Sequence, residues 1–132
     1  MRHDHTRLIL ATGGGAMVKA AYSSGTPAIG VGAGNGPAYI HHTANVRLAV
    51  KRILDSKTFD NGTICASEQS IIVTREMERA VTEELQRQGA YVLSDSEHTK
   101  LSKFILRANG TMNPAIVGKS VETVAKLAGL DR

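Results

Sequence analysis

Cysteine is nearly absent from this 132-residue chain, which carries one, Cys65. A lone thiol closes no internal disulfide, so the fold has to rest on packing, and the usage agrees with a reducing compartment, most simply the cytoplasm. Tryptophan is missing and aromatic residues amount to 4%, which leaves Ala, Val, Ile and Leu to build a core. No apolar run approaches the roughly 18 residues of a membrane-spanning helix, so no transmembrane segment is expected. The amino-terminal MRHDHTRLILATGGG has no long apolar stretch before a small-residue cleavage site and does not read as a signal peptide.

Acidic residues are the minority, 12 against 16 Lys and Arg, for a net charge of +4. That balance raises nucleic acid as a partner, but no aromatic residues interleave with the bases to stack on nucleotides. Arg47, Lys51 and Arg52 instead fall on one face of a helical pattern, where solvation explains them, and no nucleic-acid partner is expected. The five histidines show no spacing against acids or cysteine typical of a metal site, so surface or capping roles are expected for His3, His5, His41, His42 and His98.

What is abundant is glycine, 13 residues, within a chain that is 42% hydrophobic and 21% charged. This is the composition of a soluble globular protein long enough for one ordinary domain. Strand-like runs at residues 7–12, 28–31, 37–40, 70–73, 90–93 and 114–117 alternate with helical patterns. Val46, Ala49, Val50, Ile53 and Leu54 recur with helical period behind a Thr43 cap. Met77, Val81 and Leu85 do the same behind Thr74 and before Gly89. Ser94-Asp-Ser-Glu97 fits a capping box for a helix with Leu101, Phe104 and Ile105 inward, ended by Asn109-Gly110, and Ser120 caps a last helix that stops at Gly129. The alternation predicts an α/β fold with a mostly parallel sheet and flanking helices. The abrupt finish at Leu130-Asp131-Arg132, with nothing to complete a sheet, suggests an incomplete piece of something larger.

Three segments invite chemistry. Thr12-Gly13-Gly14-Gly15 lies between a strand and a helix, where amide N–H groups and the helix dipole favour a phosphate. It is neither a dinucleotide fingerprint, because Val18 stands where a further glycine is needed, nor a P-loop. Phosphate contact and plain helix–strand packing both remain open. The stretch from Gly30 to Gly36 has alternating glycines that let backbone lie flat against a ligand or another strand, and it fails the same fingerprint at Asn35. Cys65 follows a helix and the Asp60-Asn61-Gly62 turn and precedes a strand, which places it on a loop at a sheet edge. Small neighbours, Gly62, Ala66 and Ser67, leave space around the sulfur, and nearby N–H groups suit a thiolate or an oxyanion. No histidine lies close in sequence, so the pattern alone does not decide between a nucleophile and a unique small hydrophobe. Glu68 has the chemistry of a base, although an ion pair or helix-terminal role suits its place better.

ILATGGGAMVKAAYSSGTPAIGVGAGN, PAYIHHTANVRLAVKRILDSKTFDNGTICASEQ and NGTMNPAIVGKSVETVAKLAGL strongly resemble CoA-acylating aldehyde dehydrogenases. These include the aldehyde dehydrogenase half of bifunctional aldehyde-alcohol dehydrogenases and the acetaldehyde and propionaldehyde enzymes. The resemblance covers nearly the whole chain, and SKTFDNGTICASEQ is its specific part. It implies an aldehyde dehydrogenase-like fold, present here as an internal section: residues 1–27 end an NAD-binding domain and residues 28–132 begin the catalytic, cysteine-bearing one. It implies that Cys65 is the nucleophile, that Thr12, Gly13 and Gly14 open a helix beside the NAD pyrophosphate, and that Gly32 and Gly34 lie near the nicotinamide. Aldehyde and CoA are the implied substrates, NAD the implied cofactor, and a homo-oligomer the implied state of the full-length protein.

One departure from the wider superfamily bears on the reaction. Hydrolytic members carry a Glu-Leu-Gly-Gly-Lys stretch before a proline, whose glutamate activates water; here Val31 occupies the acidic position. Valine cannot serve as a general base, so a thioester would wait for a thiol. The alternatives are a hydrolytic aldehyde dehydrogenase and a non-catalytic assembly or nucleotide-binding module of the same fold. The asparagine that usually completes the oxyanion hole would precede residue 1, so the isolated 132 residues are expected to be inactive.

Overall fold

Ile9–Thr12 forms strand β1 and Ala28–Val31 forms β2, paired in parallel with Thr12 opposite Val31. The computed structural model describes residues 1–32 and 34–130; Ala33, within the expected glycine-rich crossing, and Asp131 and Arg132, at the expected abrupt finish, lie outside the described residues. Helix α1, Gly15–Tyr22, connects the two strands and buries Ala21 completely. The glycine at 30 is needed here, because a Cβ on it would stand 2.6 Å from Val18 Cγ1 and 2.9 Å from the Tyr22 ring. The Tyr22 hydroxyl accepts from the Gly30 amide at 2.9 Å, tying α1 to the middle of β2. These elements make up the first of two compact units, residues 1–35. β2 thus pairs with β1 within this first unit.

The second unit contains a second parallel pair, β3 (Gly36–Tyr39) and β4 (Glu68–Ile72), with a register shift between Gly36 and Pro37. Helix α2, Val46–Thr58, and helix α3, Arg75–Arg87, pack beside them. Ile40, Val50, Ile53 and Val81 form the buried centre, surrounded by Val46, Leu54, Ile71, Val73, Met77 and Leu85. The helical spacing of Val46, Val50, Ile53 and Leu54 thus faces inward as the pattern predicts. Glu84 is also buried on α3, and a buried carboxylate needs partners. Arg87 and Gln88 supply them, and the Gln88 amide bonds the Arg47 carbonyl at 3.0 Å, joining α3 to α2.

Several local expectations need correction. Asn45, not Thr43, caps α2: its Oδ1 accepts from the Leu48 amide, while the Thr43 hydroxyl pairs with His41 Nδ1 at 2.8 Å. Thr74 stands at the start of α3 without a side-chain capping bond. Residues 90–93 are not a strand, for they have no strand partner among the described residues and run as irregular chain between α3 and α4. Ser94 does form a complete capping box with Glu97 for helix α4, Asp95–Ile105. That helix ends four residues before Asn109-Gly110, which instead turn a short hairpin closed by an antiparallel bridge between Leu106 and Met112. Pro114–Ile116 is a 3₁₀ turn, capped by Asn113, where a strand is expected. Helix α5, Val121–Leu127, has the predicted Ser120 cap, and Gly129 stops it at φ 69°. Both sheets are parallel pairs with helices around them, the predicted α/β class. No helix among the described residues is long and apolar enough to cross a membrane.

Candidate functional site

In the first unit, parallel pairing brings the carboxyl ends of β1 and β2 side by side. The Gly13 amide donates to the Val31 carbonyl at 3.1 Å, so Thr12 and Gly13 sit next to the chain that leads into Gly32 and onward to Gly34. Crevices at the carboxyl ends of parallel strands are where α/β folds bind ligands. α1 begins there with Gly14 as its N-cap, no capping side chain and no acidic residue in its first turn. A Cβ built on Gly14 or Gly15 would meet nothing within 4 Å. The amide end of the helix is thus open and uncompensated, an arrangement that fits an anionic phosphate. Val31, at the end of β2, is half exposed and brings no ionisable group.

In the second unit, Cys65 is exposed, on the loop between α2 and β4 that the sequence indicates. The chain leaves α2 through Asp60, Asn61 and Gly62, all left-handed at φ 49°, 52° and 71°. Three such residues in a row, two of them not glycine, are unusual and need outside support. Part of it comes from the Asn61 side chain, whose Nδ2 donates to the Gly118 carbonyl at 3.1 Å. Cys65 and Ala66 then occupy the middle of a turn closed by the Ser67 amide on the Ile64 carbonyl at 3.4 Å. The Ser67 hydroxyl reaches the same carbonyl at 3.1 Å, and Lys57 Nζ donates to that hydroxyl at 3.2 Å. Ser67, read from sequence only as a small neighbour leaving room for substrate, is 1% exposed and closes the turn from beneath.

Glu68 opens β4 rather than ending a helix, and among the described residues it makes no close salt bridge. Its own backbone N–H, then the Ser56 hydroxyl and the Lys57 charge, hold its carboxyl below the usual carboxylate range. Its Oε2 is buried without a hydrogen-bond partner among the described residues. A carboxyl held ionised at neutral pH and turned inward is better suited to structure than to proton transfer. A cavity of about 380 Å³ flanks the turn, lined by Arg52, Asp55, Ser56, Phe59, Ile64 and Ala66 with Ser67. A larger groove of about 760 Å³, between α2, α4 and α5, includes none of the expected site residues. All five histidines are exposed. Among the described residues no cluster of three His, Cys, Asp or Glu side chains is placed to hold a metal ion.

Sequence reasoning missed Ser56, Lys57 and Ser67. Their signal was faint: a lysine in the last turn of α2 looks like a partner for the helix dipole, and a serine after Cys-Ala looks like loop filler. Only their pairing across the loop distinguishes them.

Comparison with known proteins places the chain in a family. The aldehyde dehydrogenase family model matches residues 1–127. The bifunctional aldehyde-alcohol dehydrogenase AdhE of Escherichia coli K12 is 54% identical over 129 residues, 98% of this chain and 14% of that protein. The chain therefore spans about a seventh of the length of such relatives. An acetylating aldehyde dehydrogenase from Geobacillus thermoglucosidasius has a solved structure that superposes with a TM-score of 0.93 at 51% identity, over 99% of this chain and 29% of that one. A Rhodopseudomonas palustris propionaldehyde dehydrogenase, solved with bound CoA and an acylated cysteine, superposes at 0.90 with 34% identity, over 99% and 30%. With matches of this extent in sequence and in fold, the chain belongs to the aldehyde dehydrogenase family and resembles its CoA-acylating members.

Proposed function

We propose that this chain is the cysteine-bearing section of an NAD-dependent, CoA-acylating aldehyde dehydrogenase that converts a short-chain aldehyde to its acyl-CoA. The observation that carries the reading is Cys65 held exposed at the middle of a braced turn inside the family's specific segment. In this reading the Cys65 thiolate adds to the aldehyde carbonyl carbon, forming a carbon–sulfur bond, and its own amide donates to the resulting oxyanion. Bound NAD⁺ supplies the acceptor for the hydride that this carbon gives up. Cys65 then carries the acyl group as a thioester. The CoA thiol adds to that carbonyl and Cys65 leaves as a thiolate, regenerating the enzyme; the sequence is reversible.

Thr12, Gly13 and Gly14 would hold the pyrophosphate at the open end of α1, and Gly32 and Gly34 would keep the backbone low beside the nicotinamide. The fit of α1 to an anion supports that assignment. Val31 supports thiolysis over hydrolysis, since its side chain cannot deprotonate water. The CoA and acylated cysteine in the Rhodopseudomonas enzyme support a thioester at Cys65. We further propose that residues 1–27 close a cofactor-binding domain and that residues 28–132 begin the catalytic, cysteine-bearing one. A homo-oligomer in the cytoplasm completes the reading.

The test uses the full natural polypeptide with a short aldehyde, NAD⁺ and CoA. Acyl-CoA and NADH should form together, omission of CoA should stop sustained turnover, and Cys65→Ala should abolish both products. Sustained NADH formation without CoA would replace the acylating reading with the hydrolytic one, and an active Cys65→Ala enzyme would overturn both.

A further inference from the structure

The two ends of the SKTFDNGTICASEQ segment meet in space. Its Ser56-Lys57 start is the last turn of α2, and its Ser67-Glu68 finish enters β4. Between them the chain makes a nine-residue excursion, residues 58–66, that includes three left-handed residues and then Cys65. Such a loop is free to drift unless its ends are clamped. Lys57 Nζ donates to the Ser67 hydroxyl at 3.2 Å, and that hydroxyl donates to the Ile64 carbonyl at 3.1 Å. The ammonium polarises the hydroxyl, so the second bond is strengthened by the first. Ile64 precedes Cys65 and Ser67 follows it by two, so the relay closes directly around the cysteine. The Lys57 main chain also bears on the loop: a Cβ on Gly62 would stand 3.3 Å from the Lys57 carbonyl oxygen. Ser67 is 1% exposed, so its hydroxyl has no water to turn to when the relay is broken, which makes the loss costly.

We propose that Lys57 and Ser67 are positioning residues for Cys65: the Lys57–Ser67–Ile64 relay locks the turn that presents the thiol, and neither residue touches substrate. The proposal rests on Cys65 being the nucleophile. It also assigns a task to a lysine that otherwise reads as a solvated helix-end cation.

The experiment compares Ser67→Ala, Ser67→Thr, Lys57→Met, Lys57→Arg and Cys65→Ala in the full natural chain. Two readouts are needed: steady-state kinetics with aldehyde, NAD⁺ and CoA, and the rate at which iodoacetamide labels Cys65. Ser67→Ala and Lys57→Met should lower kcat about 10- to 100-fold, the range expected when a reacting group is displaced by about 1 Å. KM for aldehyde and CoA should stay within about twofold, because substrate contacts are intact. The labelling rate should change with kcat. Ser67→Thr, which keeps the hydroxyl, and Lys57→Arg, which keeps a charged donor, should recover most of the activity. Lys57 is largely exposed, so Lys57→Met keeps the test available if Ser67→Ala does not fold. Wild-type kcat and labelling in Lys57→Met and Ser67→Ala, with Cys65→Ala inactive, would overturn the positioning role and leave the proposed reaction standing. An active Cys65→Ala enzyme would instead overturn the reaction and, with it, this role. Loss of activity in Ser67→Thr and Lys57→Arg equal to that in the disruptive variants would also sink the relay.

Discussion

Gly14→Ala separates cofactor binding from folding at one atom. The added methyl group meets nothing within 4 Å, and Gly14 already has a φ of −62° that alanine adopts freely. The folding cost is therefore confined to the weaker N-cap preference of alanine, under about 1 kcal/mol. The methyl does occupy the open space at the amide end of α1, where the pyrophosphate is proposed to lie. Displacing one charge-assisted hydrogen bond there costs about 1.5–3 kcal/mol, which is about 10- to 100-fold in affinity. Gly30→Ala is the control in the opposite sense. Its methyl would press on Val18 Cγ1 at 2.6 Å and on the Tyr22 ring at 2.9 Å. Val18 is stiff at χ1 and Tyr22 is tethered by its hydroxyl, so about 1–3 kcal/mol of overpacking follows. The assay is NADH fluorescence titration of the full natural chain, beside a chemical denaturation curve for each variant. Gly14→Ala should bind NADH at least tenfold more weakly with nearly unchanged stability. Wild-type affinity in Gly14→Ala would refute the placement of the pyrophosphate on α1.

Two further outcomes follow from local geometry. Ser94→Ala removes the hydroxyl that accepts from the Glu97 amide and breaks the capping box of α4, which should lower stability by about 1 kcal/mol in a denaturant titration; no change would mean the helix is held by its packing alone. The Glu68 carboxyl is depressed by its own N–H, by Ser56 and by Lys57, so its stabilising contribution is complete above the ordinary glutamate value of about 4.3 and is lost as pH falls through the folded-state value. Ser56→Ala should move that titration upward in a carboxyl-carbon NMR experiment, and an unmoved titration would count against the Ser56 bond.

The periodic and capping signals were legible because they depend on neighbours in sequence. The inward face of α2, the Ser94 and Ser120 caps and the glycines ending α3 and α5 are each set within about one helical turn. The loop position of Cys65 was legible for the same reason, since small and turn-forming residues surround it; its exposure was not, because the pattern left a buried small hydrophobe open and the structure decides it. Residues 90–93 and 114–117 were misread because an apolar run becomes a strand only when another strand offers its hydrogen bonds, and none does so among the described residues. The cap of α2 was misplaced because Thr43 and Asn45 are both competent. The competition is settled by His41, which takes the threonine hydroxyl.

By itself, then, the sequence determined the α/β class, the Ser94 and Ser120 caps, the absence of a base at Val31 and the identity of the one thiol. Tertiary structure alone decided how that thiol is held. Lys57 and Ser67 stand ten residues apart and each looks like an ordinary polar surface residue, until α2 and β4 bring them within 3.2 Å. Burial of Ser67 turns that contact into a constraint, because a hydroxyl shielded from water has no alternative partner. It is a property of two elements packed together, which no local pattern encodes.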